Sequence, residues 1–369
     1  MSALNPVCLS LRAHQARVSL RPPGLSSHRQ RRRLRTTAVQ PATAIPKVIG
    51  IGPPPEPPVP VSSQYDDRFA RKRKQLDLLQ KGQSIRPNPA KPASALQKRF
   101  WQEVSLRESA DGFQVMLDSR PVRTAAKNVL LIPHNKHQLA AAIALEWDLL
   151  VSSQQALKHH YIPLTSLTNR ALEIQVADEQ GNSRLRNDLI RTALRYLETD
   201  TLLCWAPETN MHDPAEQQNG SLRDKQMQIA QPIITFLAQH VWPGVELKPI
   251  LGADSIIPEK QPQMTTEVIR GWLSGLPAWE LAGLERGVLA SKSLLVATRL
   301  LVEWSSKFSH IREASSGQAR FGIEEAAEAA SVEVRWQTGM WGEVEDTHDV
   351  EREDMRRQLG SVILLVHGS

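Results

Sequence analysis

The chain has 369 residues, with 45 lysine and arginine side chains against 39 aspartate and glutamate side chains, a formal net charge of +6. That charge is unevenly divided, because residues 1–100 carry 19 basic and 4 acidic side chains, whereas the rest carry 26 basic and 35 acidic ones. The long C-terminal part is therefore acidic. This argues against a nucleic-acid-binding protein, which needs a basic face to meet phosphates.

Cysteine content and hydropathy narrow the class further. The two cysteines, Cys8 and Cys204, lie in different parts of the chain, and a single cysteine in the acidic part cannot build a disulfide framework. Apolar runs such as Val362–Val366 fall far short of the roughly 20 residues that a membrane-spanning helix requires. The sequence predicts a protein without membrane insertion.

The first hundred residues have the composition of a leader and a linker. Residues 1–50 contain eight arginines, one lysine and no acidic residue, which is typical of a mitochondrial transit peptide, and we assign it to residues 1–45. A basic RNA-binding tail is the alternative. Residues 46–97 include the polyproline stretch IGPPPEPPVPVS and are predicted to be a disordered linker, with one short basic helix across Arg68–Gln80.

Residues 98–180 are predicted to form a small N-terminal α/β domain. Phe113, Val115 and Leu117 alternate with polar or flexible neighbours, and turn residues separate this segment from similar ones. This pattern indicates an antiparallel meander with one buried face, whose first strand begins near Trp101. Two helices should pack on it: one opened by a capping box at Asn135 and carrying the stripe Leu139, Ile143, Trp147 and Leu150, and one starting at Pro163.

Residues 181–369 are predicted to form a C-terminal all-α domain, so that the fold class is α+β. The helical patterns cover Leu185–Leu197, Leu222–Val241, Met264–Leu273, Trp279–Trp304, Ile323–Trp336 and Val350–Val366. Pro232 should kink or split the second of these. The fourth is the longest and most apolar, with one polar stripe that includes Glu285, which places it at the centre of a bundle. Residues 305–320 are predicted to be a loop.

Motifs of enzyme chemistry are missing from the sequence. It contains no glycine-rich phosphate loop, no Gly-x-Ser-x-Gly nucleophile elbow and no Cys-x-x-Cys pair. The adjacent pair His159-His160 is predicted to be a surface feature, and Cys204 a buried, inert thiol. We therefore predict no catalytic residue, no metal and no cofactor.

The densest polar cluster is WGEVEDTHD, from Trp341 to Asp349, and it allows three interpretations. Glu345, His348 and Asp349 could hold a metal in a hydrolase. Asp346 or Thr347 could instead cap the last helix, with neighbouring acids favouring its dipole. Acidic side chains beside tryptophan could also dock a basic partner. The candidate partner-binding residues are Trp341, Glu343, Glu345, Asp346, Asp349 and Glu285.

Seven blocks of sequence, in order, make the chain resemble a known family. They are RFWQEVSL from Arg99, LDSRPVRTAAKN from Leu117, ALEWD from Ala144, IPLTSLTNRALE from Ile162, TDTLLCWAPE from Thr199, ASKSLLVATRLLVEW from Ala290, and WQTGMWGEVEDTHDVEREDMRRQLGSV from Trp336. The family is that of the mitochondrial assembly chaperones that act on the α subunit of the F-type ATP synthase. The resemblance spans residues 98–366 and leaves out the first hundred.

The resemblance implies a fold, a partner and a place of action. It implies an α/β domain followed by a helical domain, no enzymatic activity, and a mitochondrial matrix chaperone that shields the free α subunit until the β subunit covers it. It also implies a functionally important acid in the Trp-Gly-x-x-Glu stretch, which is Glu345 here. We expect a monomer when the protein is free. A matrix metal-dependent hydrolase and a mitochondrial ribosome-associated factor remain the competing hypotheses.

Overall fold

The computed structural model describes residues 98–207, 221–251, 258–314, 319–344 and 346–368, together with residues 72, 73 and 76. The predicted transit peptide at 1–45 lies outside the described residues, as do most of the linker at 46–97 and Glu345. The basic helix predicted across Arg68–Gln80 is described at three positions only, and these are helical. In the described part of the chain, no helix is long and apolar enough to cross a membrane.

A small antiparallel sheet opens the described fold, as predicted. Its strands are β1 (Val104–Ser109), β2 (Gly112–Leu117), β3 (Arg120–Pro121) and β4 (Leu131–Ile132). β2 is central: it pairs with β1 on one edge and with β3 and β4 on the other. The β1–β2 turn requires glycine, because Gly112 has φ +141° and an added Cβ would lie 2.3 Å from the Ile132 carbonyl oxygen.

Two details of the predicted sheet were wrong. Trp101 precedes β1 instead of beginning it, and its side chain is buried against Trp147 with ring centroids 5.5 Å apart. Met116 was expected on an open face but is buried, as Val115 and Leu117 are. Alternation along β2 therefore does not separate a covered face from an open one.

Two helices follow the sheet, α1 (His137–Asp148) and α2 (Pro163–Glu179), and α1 contributes the residues that position α2. The Glu146 carboxylate accepts hydrogen bonds from the backbone N–H groups of Leu164 and Thr165, at 2.8 and 3.0 Å, and so caps the first turn of α2. Trp147 donates its indole N–H to the Thr165 hydroxyl at 2.9 Å. Glu146 and Trp147, adjacent residues of the ALEWD block, thus fix the N-terminal end of α2.

The capping box predicted at Asn135 was wrong. A short 3-10 turn spans His134–Lys136, and Lys136 is the N-cap of α1 without a side-chain capping bond. Lys136 instead lies buried and donates to the Leu365 carbonyl oxygen at 2.7 Å, near the C-terminal end of the last helix. Burial lowers the pKa of the Lys136 amine, and the nearby Glu280 carboxylate opposes that effect.

The remainder of the described chain is helical, which confirms the α+β class. Its helices are α3 (Arg184–Leu197), α4 (Leu222–Phe236), α5 (Gln263–Ser274), α6 (Ala278–Ser291), α7 (Leu294–Trp304), α8 (Ser309–Ala314), α9 (Ile323–Ala330), α10 (Val332–Trp341) and α11 (His348–Val366). α6 is the central helix and packs against α2, α7 and α11. The boundary predicted at residue 180 stays a prediction.

The single long helix predicted across Trp279–Trp304 is two helices. Lys292 ends α6 in the left-handed conformation, with φ 55°, and the Ser293 side chain caps α7 by accepting from the Val296 N–H. Fully buried Asp200 completes the break, because its carboxylate accepts from the backbone N–H groups of Leu294 and Leu295 at 2.7 and 3.1 Å. A polar stripe continuous through Lys292 therefore does not exist.

Two other helix predictions are corrected, and of the two outcomes predicted at Pro232 the split is wrong, while the kink stays a prediction. The pattern across Ile323–Trp336 is divided into α9 and α10 at Ser331. The predicted loop at 305–320 contains α8. α4 continues through Pro232 without splitting and passes into a π-helical turn over Leu237–Val241.

Glycines on α6 allow α11 to approach closely. A Cβ added at Gly283 would lie 2.8 Å from a γ-methyl of Val366, and one at Gly287 would lie 3.0 Å from the Ala297 Cβ. The absence of side chains at these positions lets α6 contact α7 and α11 at once. The last helix is thereby fixed against the centre of the molecule.

Candidate functional site

An apolar groove lies beside the sequence-predicted site, between α10 and α11. We call it the α10–α11 groove; its volume is about 260 Å³, and the end of α6 and one face of α9 also line it. Leu289 and Val334 lie in it with 49% and 42% of their surfaces exposed, and Met355 lines it from α11. A contiguous apolar surface rimmed by polar residues, unlike a single exposed apolar side chain, is typical of sites of contact with other proteins.

The spacing of residues on α10 explains the groove and places Trp341 at its end. Val334, Thr338 and Trp341 are separated by four and then three residues, so they share one face of the helix. The first two line the groove. Trp341 terminates the same stripe and is 70% exposed, the highest exposure of a described tryptophan. An exposed tryptophan beside an apolar groove is a common binding anchor.

The predicted acidic residues lie in the turn between α10 and α11. Glu343 is exposed and forms an ion pair with Arg352, which lines the groove. Asp346 is exposed and adopts the left-handed conformation with φ 61°. Asp349 lies in the first turn of α11, where a carboxylate is favoured by the helix dipole. The structure therefore brings Trp341 and three of the predicted acids together at one end of the groove.

The capping interpretation of this cluster is only partly supported. α11 begins at His348, and its N-cap, Thr347, makes no side-chain capping bond. Asp349 and Glu351 are nevertheless the acidic residues of the first helical turn. The acids thus favour the helix dipole, but Thr347 does not act as the predicted cap.

Glu285 has a different environment from the other predicted site residues. It is half-buried on α6 and accepts two hydrogen bonds from the Arg170 guanidinium, at 2.9 and 3.0 Å. This bidentate pair links α6 to α2 and raises the pKa of Arg170, chiefly through the hydrogen bond to Glu285. Its assignment to a partner-binding surface stays a prediction.

The basic rim and apolar part of the groove were missed in the sequence. Lys292, Arg335 and Arg352 alternate with Glu351 and Asp354 around the opening. Two helix breaks could have revealed the apolar part of the groove. The break at Lys292 ends α6 and leaves Leu289 exposed, and the break at Ser331 starts α10, which carries the exposed Val334. Both breaks were concealed by continuous helical patterns.

The metal interpretation requires three side chains of which two are described. The His348 Nδ1 atom accepts a hydrogen bond from the Val344 backbone N–H at 3.0 Å, within the turn itself. In the described ranges, no group of three histidine, cysteine, aspartate or glutamate residues is arranged to hold a metal ion. Glu345 lies outside those ranges.

The other reactive side chains singled out in the sequence have ordinary environments. His159 and His160 are exposed, as predicted. Cys204 is half-buried, and burial, together with the charges of Asp200 and Glu333, raises the pKa of its thiol. A raised thiol pKa disfavours the reactive thiolate form.

Comparisons with known proteins agree on one family. The family model of the ATP12 chaperone protein matches residues 98–238. The mitochondrial protein atp12 of Schizosaccharomyces pombe is 31% identical over 268 residues, which cover 73% of this chain and 81% of that protein. Mitochondrial ATP12 of Saccharomyces cerevisiae is 31% identical over 290 residues, covering 74% and 85%. The crystal structure of Atp12 from Paracoccus denitrificans shares the fold, with a TM-score of 0.51 and 22% identity over 72% of this chain and 95% of that one.

Proposed function

The chain belongs to the ATP12 chaperone family, and from that premise we propose that it assists assembly of the catalytic head of mitochondrial ATP synthase. In this proposal it binds the free α subunit and shields the apolar surface that the β subunit later covers. The chain is a mitochondrial protein, as its relatives are, and we place its action in the matrix. The 31% identity over most of the S. pombe and S. cerevisiae proteins carries the proposal.

The α10–α11 groove supports this proposal as the contact surface. Its apolar part offers Leu289 and Val334, and its end offers Trp341, so an apolar segment of the α subunit would exchange water-exposed surface for contact with these side chains. Each such side chain removed from water contributes roughly 1.5–3 kcal/mol when fully buried. By mass action, the bound form of the α subunit is then held away from aggregation.

The acidic turn supplies orientation in this proposal. Glu343, Asp346 and Asp349 follow Trp341 in the turn and at the start of α11, and Glu345 lies between them in the sequence. A basic edge on the α subunit would be attracted to this turn, whereas a like charge would cost several kcal/mol in a desolvated contact. Only binding and release are involved, so the proposal assigns no catalytic step.

The decisive experiment is capture of the α subunit by purified variants, with the melting temperature of each variant recorded in parallel. Val334→Asp places a charge in the groove, and Glu345→Lys reverses a charge in the turn. We expect both variants to keep their melting temperature within a few degrees and to lose most α-subunit capture. The family resemblance motivates the choice of Glu345, and the exposed position of Val334 motivates the other.

The chain offers matched controls on α5, away from the groove. Val268 is 37% exposed, close to the 42% of Val334, so Val268→Asp makes the same change on another helix. Glu267 is an exposed acid whose reversal, Glu267→Lys, matches Glu345→Lys. Both controls should capture the α subunit as well as the unmodified protein does. Full capture by folded Val334→Asp and Glu345→Lys proteins would refute the proposed contact surface.

A further inference from the structure

A second cavity lies on the other side of α9 from the groove. It has a volume of about 260 Å³ and is lined by α4, by Arg299 of α7, by residues 319–321 and by α9; we call it the Arg299 cavity. Its apolar walls include Ile229, Ile233, Phe236 and Phe321. Glu328 of α9 lines this cavity, whereas Ala330, two residues on and thus on nearly the opposite helix face, lines the α10–α11 groove.

A buried guanidinium faces this cavity with most of its donors unused. Arg299 is only 5% exposed, and its guanidinium stacks on the Phe236 ring at 3.7 Å from the ring centroid. Its one hydrogen bond to a described residue runs from Nη1 to the Glu303 Oε2 atom, at 2.6 Å. A guanidinium carries five N–H donors in a planar fork that matches a carboxylate. The remaining donors have no protein acceptor among the described residues.

A second guanidinium lies beside Arg299 at this cavity. Arg320 stacks on Trp304 at 3.6 Å, and its Nε atom lies 3.8 Å from the Glu303 Oε1 atom. Two guanidinium groups therefore share the single carboxylate of Glu303.

The two acids that line the cavity have other hydrogen-bond partners. Glu325 accepts from the Gly322 N–H at 2.9 Å, and Glu328 accepts from Arg335 at 2.6 Å. Neither carboxylate is paired with Arg299 or Arg320 in the described structure, so neither occupies the unused donors of the Arg299 guanidinium.

We infer that the Arg299 cavity binds one carboxylate that carries a short apolar chain. The carboxylate lies against the free edge of the Arg299 guanidinium with Arg320 beside it, and the chain lies along Ile229, Ile233 and Phe236. A small aliphatic acid and the terminal or side-chain carboxylate of a bound polypeptide share this chemistry. The site is separate from the α10–α11 groove and does not depend on the function proposed there.

The experiment titrates the full chain with hexanoate and monitors the arginine Nε–H groups by nuclear magnetic resonance. Hexan-1-ol, which has the same chain length but no charge, is the control ligand. Arg299→Lys assigns the Arg299 resonance. We expect a saturable shift of that resonance with hexanoate and none with hexan-1-ol. Arg320 is half-exposed, and the variant Arg320→Gln should weaken hexanoate binding about tenfold, as expected for loss of one charge-assisted contact.

Two peptides distinguish the sources of the carboxylate. Acetyl-Gly-Ala-Leu with a free C-terminus tests a terminal carboxylate, and acetyl-Leu-Glu-Leu-amide tests a side-chain carboxylate. Binding by either identifies a polypeptide ligand, whereas binding by hexanoate alone identifies a small aliphatic acid.

The matched control is Arg270→Gln on α5, which removes a half-exposed, ion-paired arginine that does not line the cavity and should leave hexanoate affinity within about twofold. Equal shifts with hexanoate and hexan-1-ol would overturn the inference. So would an affinity that Arg320→Gln leaves unchanged.

Discussion

α6 and α10 differ sharply in how the protein surrounds them. Ten of the 14 residues of α6 are buried, and the helix touches α2, α7 and α11. Only one of the ten residues of α10, Trp336, is buried, and clefts lie along both sides of the helix. The centre of the molecule is thus held by packing on all sides, whereas α10 and the turn after it are held at few points.

This difference separates the residues that stabilise the fold from those available for binding. Buried acids around the centre are hydrogen-bonded, as Glu146 is by the start of α2, Asp200 by the start of α7 and Glu280 by the Ser305 hydroxyl. Acids of the α10–α11 turn such as Glu343 are exposed. A substitution in the centre should therefore change stability, and one in the turn should change partner capture.

The largest contrast should come from two tryptophans. Trp147→Ala removes a buried ring and its hydrogen bond to Thr165, and it should lower the free energy of unfolding by about 3–5 kcal/mol. Trp341→Ala removes a side chain that is 70% exposed and should change the free energy of unfolding by about 0.5 kcal/mol or less. Urea denaturation measures both. If the two variants lose equal stability, the contrast between centre and turn is wrong.

Asp200 should give the centre a pH dependence. Burial raises the pKa of this carboxyl from 3.8 to about 6, so the folded state binds its proton more tightly than the unfolded state does. The free energy of unfolding should then fall by about 3 kcal/mol as the pH rises from about 4 through 6, and this contribution should change little above pH 7. Asp200→Asn removes that step. Urea denaturation of the unmodified protein and of Asp200→Asn across this pH range should show the difference between their free energies of unfolding narrowing by about 3 kcal/mol. A difference that does not change with pH would contradict the raised pKa of Asp200.

A glycine-to-alanine substitution should have opposite effects on stability in the two regions. At Gly283 the added methyl would lie 2.8 Å from Val366, and overpacking of this kind costs about 1–3 kcal/mol. At Gly339, on α10, nothing lies within 4 Å of the added methyl, and alanine should stabilise the helix by about 0.5–1 kcal/mol. Melting temperatures should therefore move down for one variant and up for the other. Stabilisation by Gly283→Ala would show that α6 and α11 are not in close contact.

The smallest contrast concerns two ion-paired acids. Glu285→Gln disrupts the half-buried bidentate pair with Arg170 and should cost about 1.5–3 kcal/mol, in the range of hydrogen bonds to charged groups. Glu343→Gln breaks the exposed pair with Arg352 and should cost about 0.2–1 kcal/mol, less at high salt. Denaturation at two salt concentrations separates these values. A larger cost at Glu343 would place that acid among the structural residues.

Local patterns in the sequence predicted much of the fold. The start of α2 at Pro163 and the span of α3 follow from residues a few positions apart, because proline favours the first helical turn and apolar spacing marks a helix face. The β1–β2 hairpin was equally local, since Gly112 closes it.

The breaks inside the long helical patterns could not be predicted in this way. The division between α6 and α7 depends on Asp200, which lies 94 residues from Leu294 and caps its helix across the core. Lys136 lies at the start of α1, and its side chain donates to a carbonyl group 229 positions further along the chain, a contact that no local pattern predicts. The candidate site shows the same limit: the exposed Trp341 turn could be named from sequence, whereas the groove beside it required the breaks at Lys292 and Ser331.

The bond from Lys136 to Leu365 also bears on when the fold can close. The two residues are 229 positions apart, so the chain between them must be made before they can meet. Because synthesis proceeds from the N-terminus, the glycine face of α6 at Gly283 remains uncovered until Val366 has been added. The strands and the first helices can form earlier, but the contact that fixes the last helix forms only after Val366 has been made. Completion of this fold is therefore timed by the synthesis of the last residues of α11.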